Sequence, residues 1–283
     1  MKEDLKNYLD EKIKIINNSL NDYLSSIKEN SILYAAISYS LFPGGKRLRP
    51  VILLTSYESI KGDVIDELAI IPACAIELIH TYSLIHDDLP IMDNSDTRRG
   101  KPATHKVYGD DIALLAGDAL LTHAFYLLSS IDAQKFIKPE ILIKIIQRLS
   151  EASGVTGLVE GQAFEAFQRK DNIDEKTILY IHEHKTAALF GASLAISGIL
   201  TNSDEEIINS LSMAGKNFGM AYQIADDMKD CDTCENEANY AKIFGKEKSL
   251  ESIDNYINES ITILKSLPFN TDRLIEIFNI INE

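Results

Sequence analysis

Cations are the minority in this chain, and that excludes a good deal. Only 28 Lys and Arg stand against 43 Asp and Glu, a formal charge of −15 over 283 residues. Such a field disfavours general binding to nucleic acid or to anionic membranes. It also repels a phosphorylated substrate, so any attraction for one must be local or carried by metal. Cysteine is scarce: Cys74, Cys231 and Cys234 cannot build a disulfide framework and fit a reducing cytosol. Cys231 and Cys234 form a solitary CxxC, without the second pair or strand context that zinc or redox chemistry needs. The longest nearly unbroken apolar run, Thr186 to Leu200, falls short of the ~20 residues of a membrane span. Met-Lys-Glu-Asp at the start is no signal peptide. Alternating strand runs, repeats and low-complexity linkers are missing too. The expectation is a soluble, cytoplasmic protein that neither binds nucleic acid nor inserts into membrane.

Helix is what remains, and with 45% hydrophobic residues the core can be large. Leu5, Leu9, Ile13, Ile16, Leu20, Leu24 and Ile27 step by threes and fours along an otherwise polar segment. Pro43-Gly44-Gly45 breaks the pattern, and Lys46-Arg47-Leu48-Arg49-Pro50 opens the next helix with Pro50 in its first turn. Residues 65–89 read as a long helix buried on most sides, ended or kinked by Pro90. Further helices are expected at 109–130, 138–151, 154–168, 175–200 and 204–230, the last with capping-box spacing at Ser203–Glu206. Two or three shorter ones should follow. The economical fold is a single all-α domain over residues 1–283, a bundle of about a dozen helices.

The chemistry concentrates at residues 77–100, where an apolar helix delivers Asp87 and Asp88, then Asp93 and Asp96, with Arg98-Arg99 directly after. Crowded carboxylates raise one another's pKa unless cations sit among them, and hard oxygen ligands suit magnesium or calcium. The arginine pair offers planar donors to phosphate oxygens. Taken alone, the cluster is equally a solvated acidic loop. Asp87 and Asp93 lie about 240° apart on an ideal helix, so only a break at Pro90 brings both to one cation.

A second cluster, Gln223-Ile-Ala-Asp226-Asp227-Met-Lys-Asp230, puts Gln223, Asp226 or Asp227, and Asp230 on one helix face. A solvated surface tolerates such repulsion; two clusters, each closing a long apolar helix, read better as a pair of metal clamps. Lys46, Arg47 and Arg49 crowd a positive helix N-terminus, which a bound anion would balance. His80, two turns before Asp87, is either a core histidine or a phosphate donor. Lys185 either snorkels or, with Thr186, meets developing diphosphate charge. Gln162 and Glu165 are supports at most.

These residues resemble the isoprenyl diphosphate synthases, most closely the bacterial short-chain enzymes that make farnesyl diphosphate. The similarity runs through GGKRLRP at 44–50, ELIHTYSLIHDDLPIMDNSDTRRGKPATH at 77–105, LAGDALLTHAF at 115–125, EGQAFE at 160–165, HKTAALF at 184–190 and FGMAYQIADD at 218–227. The resemblance implies an all-helical bundle around a deep apolar cavity, usually a homodimer, with magnesium as the metal. It implies that Lys46, Arg49, His80 and Arg99 bind isopentenyl diphosphate. Asp87, Asp93 and Asp226 would be metal ligands, with Asp88, Asp227 and Asp230 as further candidates. Arg98, Lys185, Thr186 and Gln223 would contact the allylic diphosphate. Tyr82, a turn and a half before Asp87 on the same helix, would be the floor that sets product length, with Ser83 facing elsewhere.

The implied reaction is ionisation of the allylic diphosphate, attack by the isopentenyl double bond in a dry pocket, and deprotonation by the released diphosphate. Departures from the family pattern fall after Asp230. The usual basic loop and Lys-Thr-Tyr-Pro element are replaced by a short segment ending Glu237-Ala-Asn239-Tyr240-Ala241, and the chain ends Ile-Asn-Glu283. Lys242, Lys246 and Lys248 are candidate substitutes. These departures support one rival, a degenerate or regulatory subunit of a synthase, and the two intact acidic clusters count against it. A more distant rival, an HD-type metal phosphohydrolase built on His86-Asp87, leaves the 45–50 and 226–230 segments without roles.

Overall fold

The first apolar stripe becomes helix α1 (Glu3–Leu24), with Leu5, Ile16, Leu20 and Leu24 buried along one side. The computed structural model describes residues 1–25, 31–42, 44–62, 67–168, 174–230 and 239–282, so Ile27, Pro43, Cys231 and Cys234 lie outside the described residues. Helices α2 (Ile32–Leu41), α3 (Leu48–Lys61) and α4 (Glu67–Asp87) follow. A ribbon of two short antiparallel strands, β1 (Thr97–Arg98) and β2 (Lys101–Pro102), leads into α5 (Thr104–Tyr108) and α6 (Asp110–Ser129). Next come α7 (Ile131–Phe136), α8 (Pro139–Ser153) and α9 (Leu158–Gln168). A last group comprises α10 (Glu175–Ile181), a π-helical segment (His182–Ala187), α11 (Ala188–Leu200), α12 (Glu205–Lys229), α13 (Tyr240–Lys265) and α14 (Asp272–Phe278). The all-α expectation holds among the described residues, the ribbon being the exception that no alternating pattern announced.

Contacts divide the chain into two compact units, one of Lys6–Val51 and Ile65–Leu142, the other of Met1–Leu5, Ile52–Val64 and Ile143–Glu283. In the first, α4 packs against α6 and is buried almost all round, from Ala69 to Ile85. By length and composition α4 and the stretch Asp110–Phe136 could each cross a membrane, which the unbroken-run criterion missed; α4's most apolar window is 78% buried, as in a core helix. In the second unit α11, apolar on every side, is enclosed against α12, which also packs on α13. Phe218 stacks on Phe278 at 4.0 Å and meets Phe190 edge-on at 5.3 Å. Burying each such ring is worth roughly 1.5–3 kcal/mol.

Three local expectations are corrected. The capping box at Ser203–Glu206 does not form: Asp204 occupies the N-cap without a side-chain bond, while the Ser203 hydroxyl pairs with Thr201 at 2.9 Å in the preceding turn. The single helix expected over 175–200 is interrupted by the π segment. Helix α9 starts at Leu158 rather than 154, because Gly157 N–H turns back to the Gly154 carbonyl at 3.1 Å.

Candidate active site

In the first unit α4 carries the acidic residues to its C-terminal end and stops at Asp87. Pro90 cannot continue the helix, and the chain turns. Met92 and Asn94 N–H both reach the Leu89 carbonyl, at 2.9 and 3.0 Å, and Asp93 N–H donates to the Asp87 carbonyl at 2.9 Å. The break therefore returns residue 93 to residue 87, as the spacing required. Both are half-buried. Asp88 turns the other way: at 2% exposure it accepts from Arg98, Nε standing 3.1 Å from each carboxylate oxygen and Nη2 bonding Oδ1. Burial opposes the Arg98 charge, but the Asp88 bonds, with Asp87 and Asp93 nearby, raise its pKa above the ordinary arginine value. Asp96 lies apart, its carboxyl held low by Lys106 at 2.8 Å.

Arg99 and Gly100 join the strands with φ of +53° and +74°, the sign pattern of a type I′ turn. The Arg99 guanidinium rests on Gly45, where a Cβ would come within 2.8 Å of it. Of the three cations crowded at 46–49, Arg47 proves to be internal. It is 2% exposed, bonds Glu77 and the Leu41 carbonyl, and reaches Asn17 Oδ1 at 3.0 Å. The expectation that an outside anion balances all three is thus corrected for Arg47. Lys46 is exposed. Arg49 Nη1 lies 3.3 Å from His80 Nε2. Burial, then the neighbouring Arg49, Arg99, Arg47 and Arg98, holds His80 neutral, far below the usual histidine range. Facing a guanidinium, Nε2 accepts, so any proton given to a phosphate must come from Nδ1.

Tyr82 is 4% exposed, edge-on to His86 at 5.7 Å, and its hydroxyl has no hydrogen-bond partner. Burial, with the Asp87 charge, pushes that hydroxyl up to about 12. Ser83 bonds back to the His80 carbonyl at 2.9 Å, as a residue facing elsewhere should. His86 is held by α6: Nε2 sits 3.0 Å from the Leu114 carbonyl, over Gly117, where a Cβ would meet it at 2.1 Å.

In the second unit the π segment presents Lys185 and Thr186, in the kind of helix irregularity that often marks functional sites. Gly161 of α9 packs on its backbone; a Cβ there would fall 2.3 Å from Lys185 N. Lys185 Nζ donates to Glu165 Oε2 at 2.6 Å. The Thr186 hydroxyl donates to Gln223 Oε1 at 2.7 Å, and Gln223 Nε2 donates to Asp227 Oδ1 at 2.9 Å. Asp227, 5% exposed, also accepts Tyr240 N–H at 2.6 Å on Oδ2 and has His182 Nε2 3.2 Å away. Asp226 faces outward with its side chain 44% exposed, 3.8 Å from Lys229, and Asp230 is exposed at the helix end. Among the described residues no three His, Cys, Asp or Glu side chains form a ready-made metal cage. Asn239 caps α13 and donates to the Asp227 carbonyl at 2.8 Å. Lys248, a candidate substitute cation, pairs with Glu175 at 2.6 Å and overlies Phe244.

Residues 30–254 match the family model described as polyprenyl synthetase. The chain belongs to the polyprenyl synthetase family. It is similar to the farnesyl diphosphate synthase of Geobacillus stearothermophilus, 39% identical over 82% of this chain and 77% of that protein. It is also similar to a geranylgeranyl diphosphate synthase of Cyanophora paradoxa, 36% identical over 90% and 88%. An FPP/GFPP synthase structure from Zymomonas mobilis matches with a TM-score of 0.90, 34% identity and full coverage of both chains. The protein is therefore a prenyltransferase-family enzyme with the all-α isoprenyl synthase fold, which sets the HD phosphohydrolase aside. Sequence reasoning missed the inward roles of Arg47, Glu77, Asp227 and His182. A glutamate inside the apolar α4 was the available signal, since such a residue is rarely buried without a partner.

Proposed function

We propose that this enzyme is a magnesium-dependent short-chain trans-prenyltransferase that extends dimethylallyl and geranyl diphosphates with isopentenyl diphosphate, giving farnesyl diphosphate and diphosphate. The fold-back at the end of α4 carries the reading, because it returns Asp93 to Asp87 close to an arginine that Asp88 holds in place. Asp87 and Asp93 would hold magnesium at one helix end and Asp226 at the other. The donors fit: they are hard carboxylates, the oxygen ligands of an ion that takes one or two carboxylates plus substrate phosphates and water. When bound, the metal stabilises negative charge on the departing diphosphate.

The rest of the work falls to side chains. Arg98, Lys185, Thr186 and Gln223 grip the allylic diphosphate. Glu165 keeps the Lys185 ammonium aimed until phosphate oxygens replace it. Lys46, Arg49, Arg99 and the neutral His80 bind isopentenyl diphosphate, and His80 adds a donor without adding charge. Tyr82 closes the end of the chain pocket and limits the product to fifteen carbons. Leu114, Leu115 and Tyr126, exposed on α6, offer an apolar surface that a second copy would cover in a homodimer. The charge of −15 disfavours nucleic-acid and anionic-membrane partners, and the sparse cysteines fit a cytoplasmic enzyme.

The test is a product analysis. Chelation should abolish turnover and magnesium restore it, and Tyr82→Ala should move the main product from fifteen toward twenty carbons. Unchanged products with lower stability would make Tyr82 ordinary core packing.

A further inference from the structure

His182 has no part in the reaction as described, yet it is 2% exposed and lies beside the allylic groups in the π segment. Its Nδ1 is buried without a hydrogen-bond partner, a cost of about 1–3 kcal/mol that an apolar side chain would avoid. Its Nε2 meets Asp227 Oδ2 at 3.2 Å, while Thr186, four residues on, bonds Gln223, four residues before Asp227. The π segment and α12 are thus joined by two rungs, 182 to 227 and 186 to 223. The Gln223 amide ties the rungs together through its 2.9 Å bond to Asp227. An amide can turn over and exchange its oxygen and nitrogen. Here Asp227 accepts from the nitrogen, so the oxygen must face Thr186. Asp227 in turn is fixed on its other oxygen by Tyr240 N–H and the His182 ring.

We propose that His182 is a positioning residue for the allylic substrate, acting through Asp227 to orient Gln223 and Thr186. This rests on the reading that Gln223 and Thr186 contact the allylic diphosphate. Without the ring nitrogen, the Asp227 carboxylate keeps only the Tyr240 amide on Oδ2 and can rotate. The amide then loses its preferred orientation, and Thr186 its acceptor.

The experiment compares His182→Met, which approximates the ring's bulk without a donor, with His182→Gln, whose side-chain N–H reaches about as far as Nε2. Steady-state KM is measured separately for geranyl and isopentenyl diphosphates, with helical content checked by circular dichroism. His182→Met should raise the KM for geranyl diphosphate roughly tenfold, the loss of one modest hydrogen bond, and leave that for isopentenyl diphosphate within about twofold. His182→Gln should recover most of the difference. If His182→Met does not fold, His182→Asn, polar but too short, takes its place with the same expectation. Gln223→Ala is run in parallel: an unchanged geranyl diphosphate KM there overturns the subsite reading itself. A raised KM in Gln223→Ala with none in the His182 variants overturns the positioning role alone. Equal rises for both substrates, or His182→Gln no better than His182→Met, also overturn it.

Discussion

Two helices of this enzyme carry an aspartate pair at or near the C-terminal end, and the two pairs sit in surroundings that differ. At the end of α4, Asp88 is buried against the charged Arg98; at the end of α12, Asp227 is buried against an amide, a backbone N–H and an imidazole. In each pair the second aspartate is a brace, and the first, Asp87 or Asp226, keeps a more open position. Neighbouring residues on a helix point about 100° apart, so one member faces inward if the other faces a ligand. The difference lies in what is braced. The α4 end fixes a cation directly, whereas the α12 end fixes neutral groups, the Gln223 amide and through it the Thr186 hydroxyl.

The comparison breaks first at the outward members. Asp87→Ala and Asp226→Ala should each cut kcat by about 10³-fold, roughly 4 kcal/mol of transition-state stabilisation, with the helical circular-dichroism signal intact. Near-normal turnover in either would mean that one helix end does not serve the chemistry. His86→Ala should be far milder.

A smaller effect separates the substrates. Lys46→Ala and Arg49→Ala should raise the KM for isopentenyl diphosphate about tenfold or more, and Lys185→Ala that for the allylic diphosphate, each loss worth ~1.5–3 kcal/mol at a charged hydrogen bond. Initial rates with one substrate saturating read this directly, and a reversed pattern would exchange the assignments.

The smallest effect concerns pH. His80 is neutral in the folded protein, faced by Arg49, Arg99, Arg47 and Arg98. The unfolded chain takes up a proton there near pH 6.5, so stability falls as pH drops through that value and is unaffected by this group above it. His80→Gln should flatten the denaturation midpoint between pH 7 and 5.5; a slope equal to the wild type's would mean that His80 does not control it.

Periodicity, proline and charge made much of this legible in advance. The apolar stripes placed α1, α4 and α12, and the six-residue gap around Pro90 foretold the return of Asp93 to Asp87. What stayed hidden depends on which way a side chain turns once neighbours surround it. Nothing in Lys46-Arg47-Leu48-Arg49 says that Arg47 goes inward, because its partner Glu77 is thirty residues away. Nor does Asp226-Asp227 say which carboxylate is buried, since that is settled by Tyr240 and His182. The π segment was likewise invisible, as nothing in His182-Glu-His-Lys-Thr-Ala187 distinguishes it from an ordinary helical turn.

The central claim is that this enzyme uses both acidic helix ends, with magnesium, to join five-carbon units. It is tested most directly by incubating the purified protein with magnesium, labelled isopentenyl diphosphate and geranyl diphosphate, then separating the products by chain length. The account predicts label in farnesyl diphosphate, lost in both Asp87→Ala and Asp226→Ala. No extension of the allylic primer by the wild-type protein, or extension that persists in either variant, would contradict it.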